Sequence, residues 1–280
     1  MREFKKLLVV LNPTQADQVA LNKAVRIAGH QDVEITALLL QRTSGGEFRT
    51  LLDQQLQQLQ QQRLNIRLEI SPETDLLRAL LLCQHKQSFD LTLKEPHKGS
   101  LSDSLFTPLD WKLLRAQNTP VLMTRPNNLT ADAPILAAVE AAPSDPEHQR
   151  LNQRILEQAT ELSDTLQRPL HLFSACPAPM QNPGLDDQDG EQQQAYRDAC
   201  VSLANQYGIA AERVHVDAGP AELLIADRAK TLDARLLVLG TVARTGLRGV
   251  LLGNTAEQLL ERVDIDVLVI PPPRQDGTTA

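Results

Sequence analysis

Short apolar runs alternate with amphipathic stretches along the whole chain. The first run, Leu7-Leu8-Val9-Val10-Leu11, stops at Asn12-Pro13. An uninterrupted run of that length predicts a parallel strand buried on both faces. From Gln18 to Ala28 the period becomes helical, with Val19, Leu21, Ala24, Val25 and Ala28 on one side. A strand is expected over 33–40. The Gln-rich stretch 51–63 carries Leu52, Leu56 and Leu59 at helical spacing and reads as a solvated amphipathic helix with a buried stripe. Then follow a strand over 64–70, a helix over 74–84, and strands over 90–94 and 120–124.

The same order returns. Strands are expected over 135–139, 170–173, 214–216, 236–239 and 267–270, with helices over 151–166, 195–207 and 221–230. Local pairings support a repeat: Asp75-Leu76-Leu77-Arg78-Ala79 resembles Glu222-Leu223-Leu224-Ile225-Ala226, and Pro120-Val121-Leu122-Met123 resembles Asp266-Val267-Leu268-Val269. The second half carries extra residues, and the Pro-, Gly- and Asp-rich segment 175–192 is the expected insertion loop. Strand–helix alternation written twice predicts two α/β domains with parallel sheets and right-handed crossovers. The stretch 125–131 has linker composition, which places the domains at 1–126 and 132–273. Pro271-Pro272-Pro273 cannot extend a central strand and is expected to open a loose tail.

Composition narrows the function classes. Of 280 residues 42% are hydrophobic and 22% charged, a globular balance. The net charge of −7 gives no electrostatic pull towards nucleic acid or anionic lipid, and eight aromatics leave few rings for stacking bases. Cys83, Cys176 and Cys200 are odd in number and widely spaced, which fits a reducing compartment and no disulfide framework. No apolar run reaches membrane-helix length and no signal peptide is visible, so a cytoplasmic protein without a membrane role is expected.

The segment with most chemistry runs from Leu236 to Leu260. A buried strand stops at Gly240, a loop carries Arg244, Gly246, Arg248 and Gly249, and a helix begins near Asn254 or Thr255 after Gly253. Backbone amides at glycines approach anions closely, and a helix N-terminus adds unpaired N–H donors with partial positive charge. At the carboxyl ends of the strands such a loop suits a phosphate, with Arg244 or Arg248 as counter-charge. A second reading needs no ligand: Thr255 with Gln258, or Asn254 with Glu257, has capping-box spacing. The loop is neither a Walker A motif nor GxGxxG.

This segment resembles the Gly-x2-Gly-x9-Gly-Ser/Thr nucleotide signature of the universal stress protein family. Here it reads Gly240-x2-Ala243-x9-Gly253-Asn254, departing at two of four positions. The resemblance extends to Val216-Asp217-Ala218-Gly219-Pro220 and to the last apolar strand. With Phe106-Thr107-Pro108-Leu109-Asp110-Trp111 in the first half, it is strongest to tandem members of the E type. It implies two tandem flavodoxin-like (adenine nucleotide alpha hydrolase-like) domains with five-stranded parallel sheets, related by a pseudo-twofold axis. It also implies a non-catalytic role in stress resistance, including resistance to DNA damage. The family's last strand mediates dimerisation; here it would join the two halves as a pseudo-dimer or join another protomer as a homodimer. The positions matching the family's nucleotide site are Glu140, Gly219, Gly240, Ala243, Arg244, Gly253, Asn254 and Thr255, and the ligand implied is a nucleotide such as ATP or AMP. Glu140 is a methylene longer than the usual Asp, Ala243 adds a methyl near phosphate, and Asn254 replaces a compact hydroxyl, so weakened binding is expected.

In the first half the equivalent loop, starting at Lys94-Glu95, lacks the leading glycine, and Asn12 replaces the first-strand carboxylate. Thr107 is an expected N-cap, Pro108 the first helical residue, and Asp110 lies where its carboxylate complements the helix start. Phe106 and Trp111 have hydrophobic-staple spacing. A phosphate there would be repelled, so this half is expected to be structural. Six histidines show no metal-ligand spacing, with His171 and His215 placed in strands as core or interface residues. Asp186, Asp187 and Asp189 are expected on an exposed acidic loop. Two further readings stand beside the non-catalytic one. One is a binding module for a small or partly apolar ligand. The other is an ATP-hydrolysing enzyme of a related superfamily, for which the sequence offers no general base or metal-ligand set.

Overall fold

The computed structural model describes residues 4–15, 17–29, 32–43, 46–96, 106–126, 132–143, 145–177, 186–241 and 254–272, with backbone only at 186–190, 192, 254 and 255. The chain divides into two compact units, Met1–Pro126 and Asn127–Ala280. The first contains β1 (Lys6–Val10), α1 (Val19–Ala28), β2 (Glu34–Leu40), α2 (Gly46–Gln61), β3 (Asn65–Ser71), α3 (Leu76–Lys86), β4 (Leu91–Lys94), α4 (Pro108–Ala116) and β5 (Val121–Met123). The second contains β6 (Ile135–Ala138), α5 (Pro146–Leu166), β7 (Leu170–Cys176), α6 (Asp186–Asn205), β8 (Val214–Ala218), α7 (Ala221–Thr231), β9 (Leu236–Gly240), α8 (Asn254–Arg262) and β10 (Asp266–Ile270).

Within the first unit the strands run β3-β2-β1-β4-β5, and within the second β8-β7-β6-β9-β10, the same order once strands are matched in sequence. Every ladder inside each unit is parallel. The apolar runs fall at the sheet centres, where Leu7, Leu8, Val9, Leu91, Leu93, Ile135, Leu136 and Leu237 are fully buried. Each such side chain contributes about 1.5–3 kcal/mol of burial. In the Gln-rich α2, Leu52 and Leu56 are buried and Leu59, expected in the same stripe, is half-buried, while the glutamines face solvent or are half-buried. Strand order reverses between β1 and β4 and between β6 and β9, and crevices in open α/β sheets form at the carboxyl ends of such pairs.

Two expectations are corrected. The helix expected over 151–166 begins at Pro146, because Asp145 caps it and Pro146 presets its first φ. The expected loop 175–192 is in part regular structure, since β7 continues to Cys176 and α6 starts at Asp186. Asp186, Asp187 and Asp189 therefore lie in the first turn of a helix, not on a loop. Among the described residues no helix is long and apolar enough to cross a membrane.

Candidate functional site

A cavity of about 470 Å³ opens in the second unit at the carboxyl ends of β6, β7 and β9, where strand order reverses. Glu140, Gly219 and Gly240 line it, together with Leu151, Ile155, Ile225, Leu239 and Leu259. It is a largely apolar chamber with a carboxylate at its rim.

Glu140 is placed by its backbone. Past the end of β6 the chain leaves the sheet, and Asn152 of α5 takes hold of it. The Asn152 amide nitrogen donates to the Glu140 carbonyl at 2.6 Å, and its oxygen accepts the Glu140 N–H at 3.2 Å. The first turn of α5 adds a second polar element. Asp145 Oδ1 accepts the N–H groups of Glu147 and His148 at 2.9 and 3.0 Å, and Asp145 Oδ2 meets His148 Nδ1 at 2.5 Å. The hydrogen bond from the His148 backbone holds the Asp145 carboxyl below the ordinary carboxylate range. The other ring nitrogen, His148 Nε2, lies 3.7 Å from Glu140 Oε2.

The glycines differ in what they do. Gly219 follows β8, donates its N–H to the Cys176 carbonyl at 3.0 Å, and has φ +142, a conformation that L side chains rarely adopt. Gly240 ends β9 against Leu151: a Cβ there would lie 2.7 Å from that side chain, so the absent methyl makes room for the helix α5. Burial pushes the Cys176 thiol, also in the wall, above its ordinary range. Ala243, Arg244 and Gly253 lie outside the described residues. Asn254 and Thr255 form the first turn of α8, as expected, and their side chains lie outside the description.

The structure thus brings Glu140, Gly219 and Gly240 around one cavity. It adds Asp145 and His148, which precede the expected start of α5 at Leu151, and Asn152, which lies inside the expected helix but whose grip on Glu140 only the fold reveals. The signal was present: Asp145-Pro146 is an N-cap followed by an N1 proline.

At the corresponding strand end in the first unit stands a buried ion pair. Lys94 stands at the end of β4, as Gly240 does at the end of β9, and its Nζ lies 2.5 Å from Asp110 Oδ1 with both side chains buried. Nζ also donates to the Glu95 carbonyl at 2.6 Å. Burial pushes the Lys94 pKa down, and the Asp110 carboxylate opposes that shift. Thr107 and Asp110 form the expected capping box: Thr107 N donates to Asp110 Oδ2 at 2.9 Å, and Asp110 N donates to Thr107 Oγ1 at 3.4 Å. The Phe106 and Trp111 rings sit 5.1 Å apart, as the staple predicts, and Arg125 lies over Phe106. Asn12 lacks the carboxylate but keeps the backbone grip, from Gln18. The Asn12 N–H donates to Gln18 Oε1 at 2.9 Å, and Gln18 Nε2 donates to the Asn12 carbonyl at 2.8 Å.

Comparison with known proteins agrees with the geometry. Residues 134–271 match the model of the universal stress protein family. Over 98% of this chain and 99% of the relative, the sequence is 31% identical to a universal stress protein E homolog of Haemophilus influenzae. It is 30% identical to universal stress protein E of Escherichia coli K12, over 97% of this chain and 95% of the relative. A crystal structure of a protein from Pseudomonas aeruginosa PAO1, 34% identical, superimposes over 96% of this chain and 93% of that one with a TM-score of 0.83. A universal stress protein from Archaeoglobus fulgidus, 14% identical, shares the fold over 95% of this chain and 98% of that one at a TM-score of 0.62. With a doubled parallel-sheet unit and full-length relatives of one kind, this chain belongs to the universal stress protein family as a tandem, E-type member.

Proposed function

We propose that this stress-response protein acts without catalysis, in the cytoplasm, through one weak adenine-nucleotide site in its C-terminal unit, and that it contributes to survival of DNA damage. The observation that carries the reading is the asymmetry of the two units. One has a chamber at the strand-order reversal with Glu140, Gly219 and Gly240 around it, and the other has the Lys94–Asp110 pair in the matching place. ATP or AMP would seat its base and sugar in the chamber, with Ala243, Arg244, Gly253, Asn254 and Thr255 as the phosphate end. Weakness follows from Glu140, a methylene longer than the family's usual Asp, and from Leu151, which stands against Gly240. The expected dissociation constant is roughly 10 μM or weaker, about −7 kcal/mol. A net charge of −7 supports the absence of direct nucleic-acid binding.

Titration with a fluorescent adenine nucleotide should give one saturable site per chain, lost on Ala175→Trp, since Ala175 near the end of β7 lines the chamber and an indole there would fill it. Binding that survives this substitution would place the ligand elsewhere and refute the reading. The apolar wall of Leu151, Ile155, Ile225, Leu239 and Leu259 favours one second reading, a partly apolar ligand other than a nucleotide. Mass spectrometry of the purified protein separates the two by the mass that co-purifies.

A further inference from the structure

We propose that His148 is a second ligand-recognising residue of the C-terminal chamber, pairing with Glu140 to select a ribose whose vicinal hydroxyls are both present. This deepens the adenine-nucleotide reading and rests on it.

The chain of fixation is short. The Asp145 carboxylate is held by two backbone N–H groups at the start of α5, and it binds His148 Nδ1 at 2.5 Å. An acidic partner on Nδ1 assigns the proton of the neutral ring to that nitrogen, as inferred from the hydrogen-bond network. In that tautomer Nε2 presents a lone pair. It faces Glu140 Oε2 at 3.7 Å, too far for a hydrogen bond between them and close enough for one small group to meet both. Asn152 fixes the Glu140 backbone from the neighbouring turn, so both acceptors are carried by restrained segments. Both side chains are partly exposed, Glu140 by 47% and His148 by 33%, and both line the chamber.

Two acceptors side by side match two donors side by side. A ribose offers its 2′ and 3′ hydroxyls on adjacent carbons, whereas a phosphate oxygen or a lone carbonyl offers no donor. The carboxylate takes one hydroxyl and the imidazole nitrogen the other. The remaining lone pairs of the hydroxyls stay towards water, which suits a rim position.

Calorimetric titration of adenosine against 2′,3′-dideoxyadenosine tests this on the full-length protein. Wild type should prefer adenosine about tenfold, the loss of two partly exposed hydrogen bonds. In His148→Ala the preference should fall to within about threefold while dideoxyadenosine affinity stays unchanged, a pattern that mere loosening of α5 would not give. Glu140→Gln, which keeps shape and turns one acceptor into a donor, should reduce the preference in the same direction. Undiminished preference in a folded His148→Ala protein overturns the proposal and leaves the nucleotide reading standing. If wild type binds neither compound at millimolar concentration, the nucleotide reading itself fails and takes this inference with it.

Discussion

At Gly240 the side chain that is missing matters more than any that is present. A Cβ there would approach three carbons of Leu151 to 2.7–2.8 Å, well inside contact distance. Gly240→Ala should therefore destabilise the C-terminal unit by about 1–3 kcal/mol through overpacking. Chemical denaturation would measure the loss, and Leu151→Ala in the same chain should restore part of it. If the double variant is no more stable than Gly240→Ala alone, Leu151 is not the obstacle. The glycine was legible in the sequence as a strand terminus with room for an anion, but its packing role was not. Leu151 is 89 positions away in the chain, and nothing in local spacing announces which helix will lean on a given strand end. Asp145 and His148 are legible in the sequence as an N-cap, a proline and the first turn they open, whereas the hold of Asn152 on Glu140 needs the fold.

Among the elements, the β7–β8 ladder carries a pH-sensitive joint. His171 Nδ1 and His215 Nε2 lie 3.0 Å apart in nearly parallel ring planes, and the 5.3 Å centroid separation exceeds that gap by about two ring radii, so the rings meet end to end. One nitrogen donates and the other accepts, an arrangement that two protonated rings cannot keep. Burial is the largest cause pushing both pKa values down, His215 to about 4. Arg228 on α7, Arg197 on α6 and His171 add to the His215 shift, and Asp217 opposes it; Arg213 acts on His171. A base with a depressed folded-state pKa is protonated first in the unfolded chain, so stability is complete above the ordinary value of about 6.5 and falls as pH drops towards 4. Urea midpoints at about pH 7.5 and about pH 5 should show this loss, and His215→Gln should shrink it. An equal loss in that variant would assign the effect to other groups. Most elements were readable from periodicity, because a buried parallel strand and an amphipathic helix leave different repeats. The α6 boundary was not, because Pro177, Pro179, Pro183 and Gly184 crowd the approach to it and its early turns carry almost no apolar residue.

For the whole chain, a chamber in one unit and a buried ion pair at the matching strand end of the other make stability and binding separable. Lys94→Met leaves Asp110 buried without its ammonium partner and should cost the N-terminal unit about 3–5 kcal/mol. Nucleotide titration of the still-folded protein should give an unchanged dissociation constant, since the chamber belongs to the other unit. A shift in affinity would show that the units are energetically coupled. The repeat itself was visible in the sequence because the order of strands and helices recurs and the later strands and turns match locally, although the second half carries extra residues before its third strand. The Thr107 cap was visible because its residues are adjacent in the chain. The buried Lys94–Asp110 contact spans a loop and needed the fold. Gln18 grips the main chain at Asn12 as Asn152 grips it at Glu140, although only the latter position bears an acid. Anchorage and chemistry are thus independent on this scaffold, and the group displayed at that corner is free to change while the polypeptide keeps its course. Gene duplication gains latitude from such a latch: one copy can surrender its guest without forfeiting its shape.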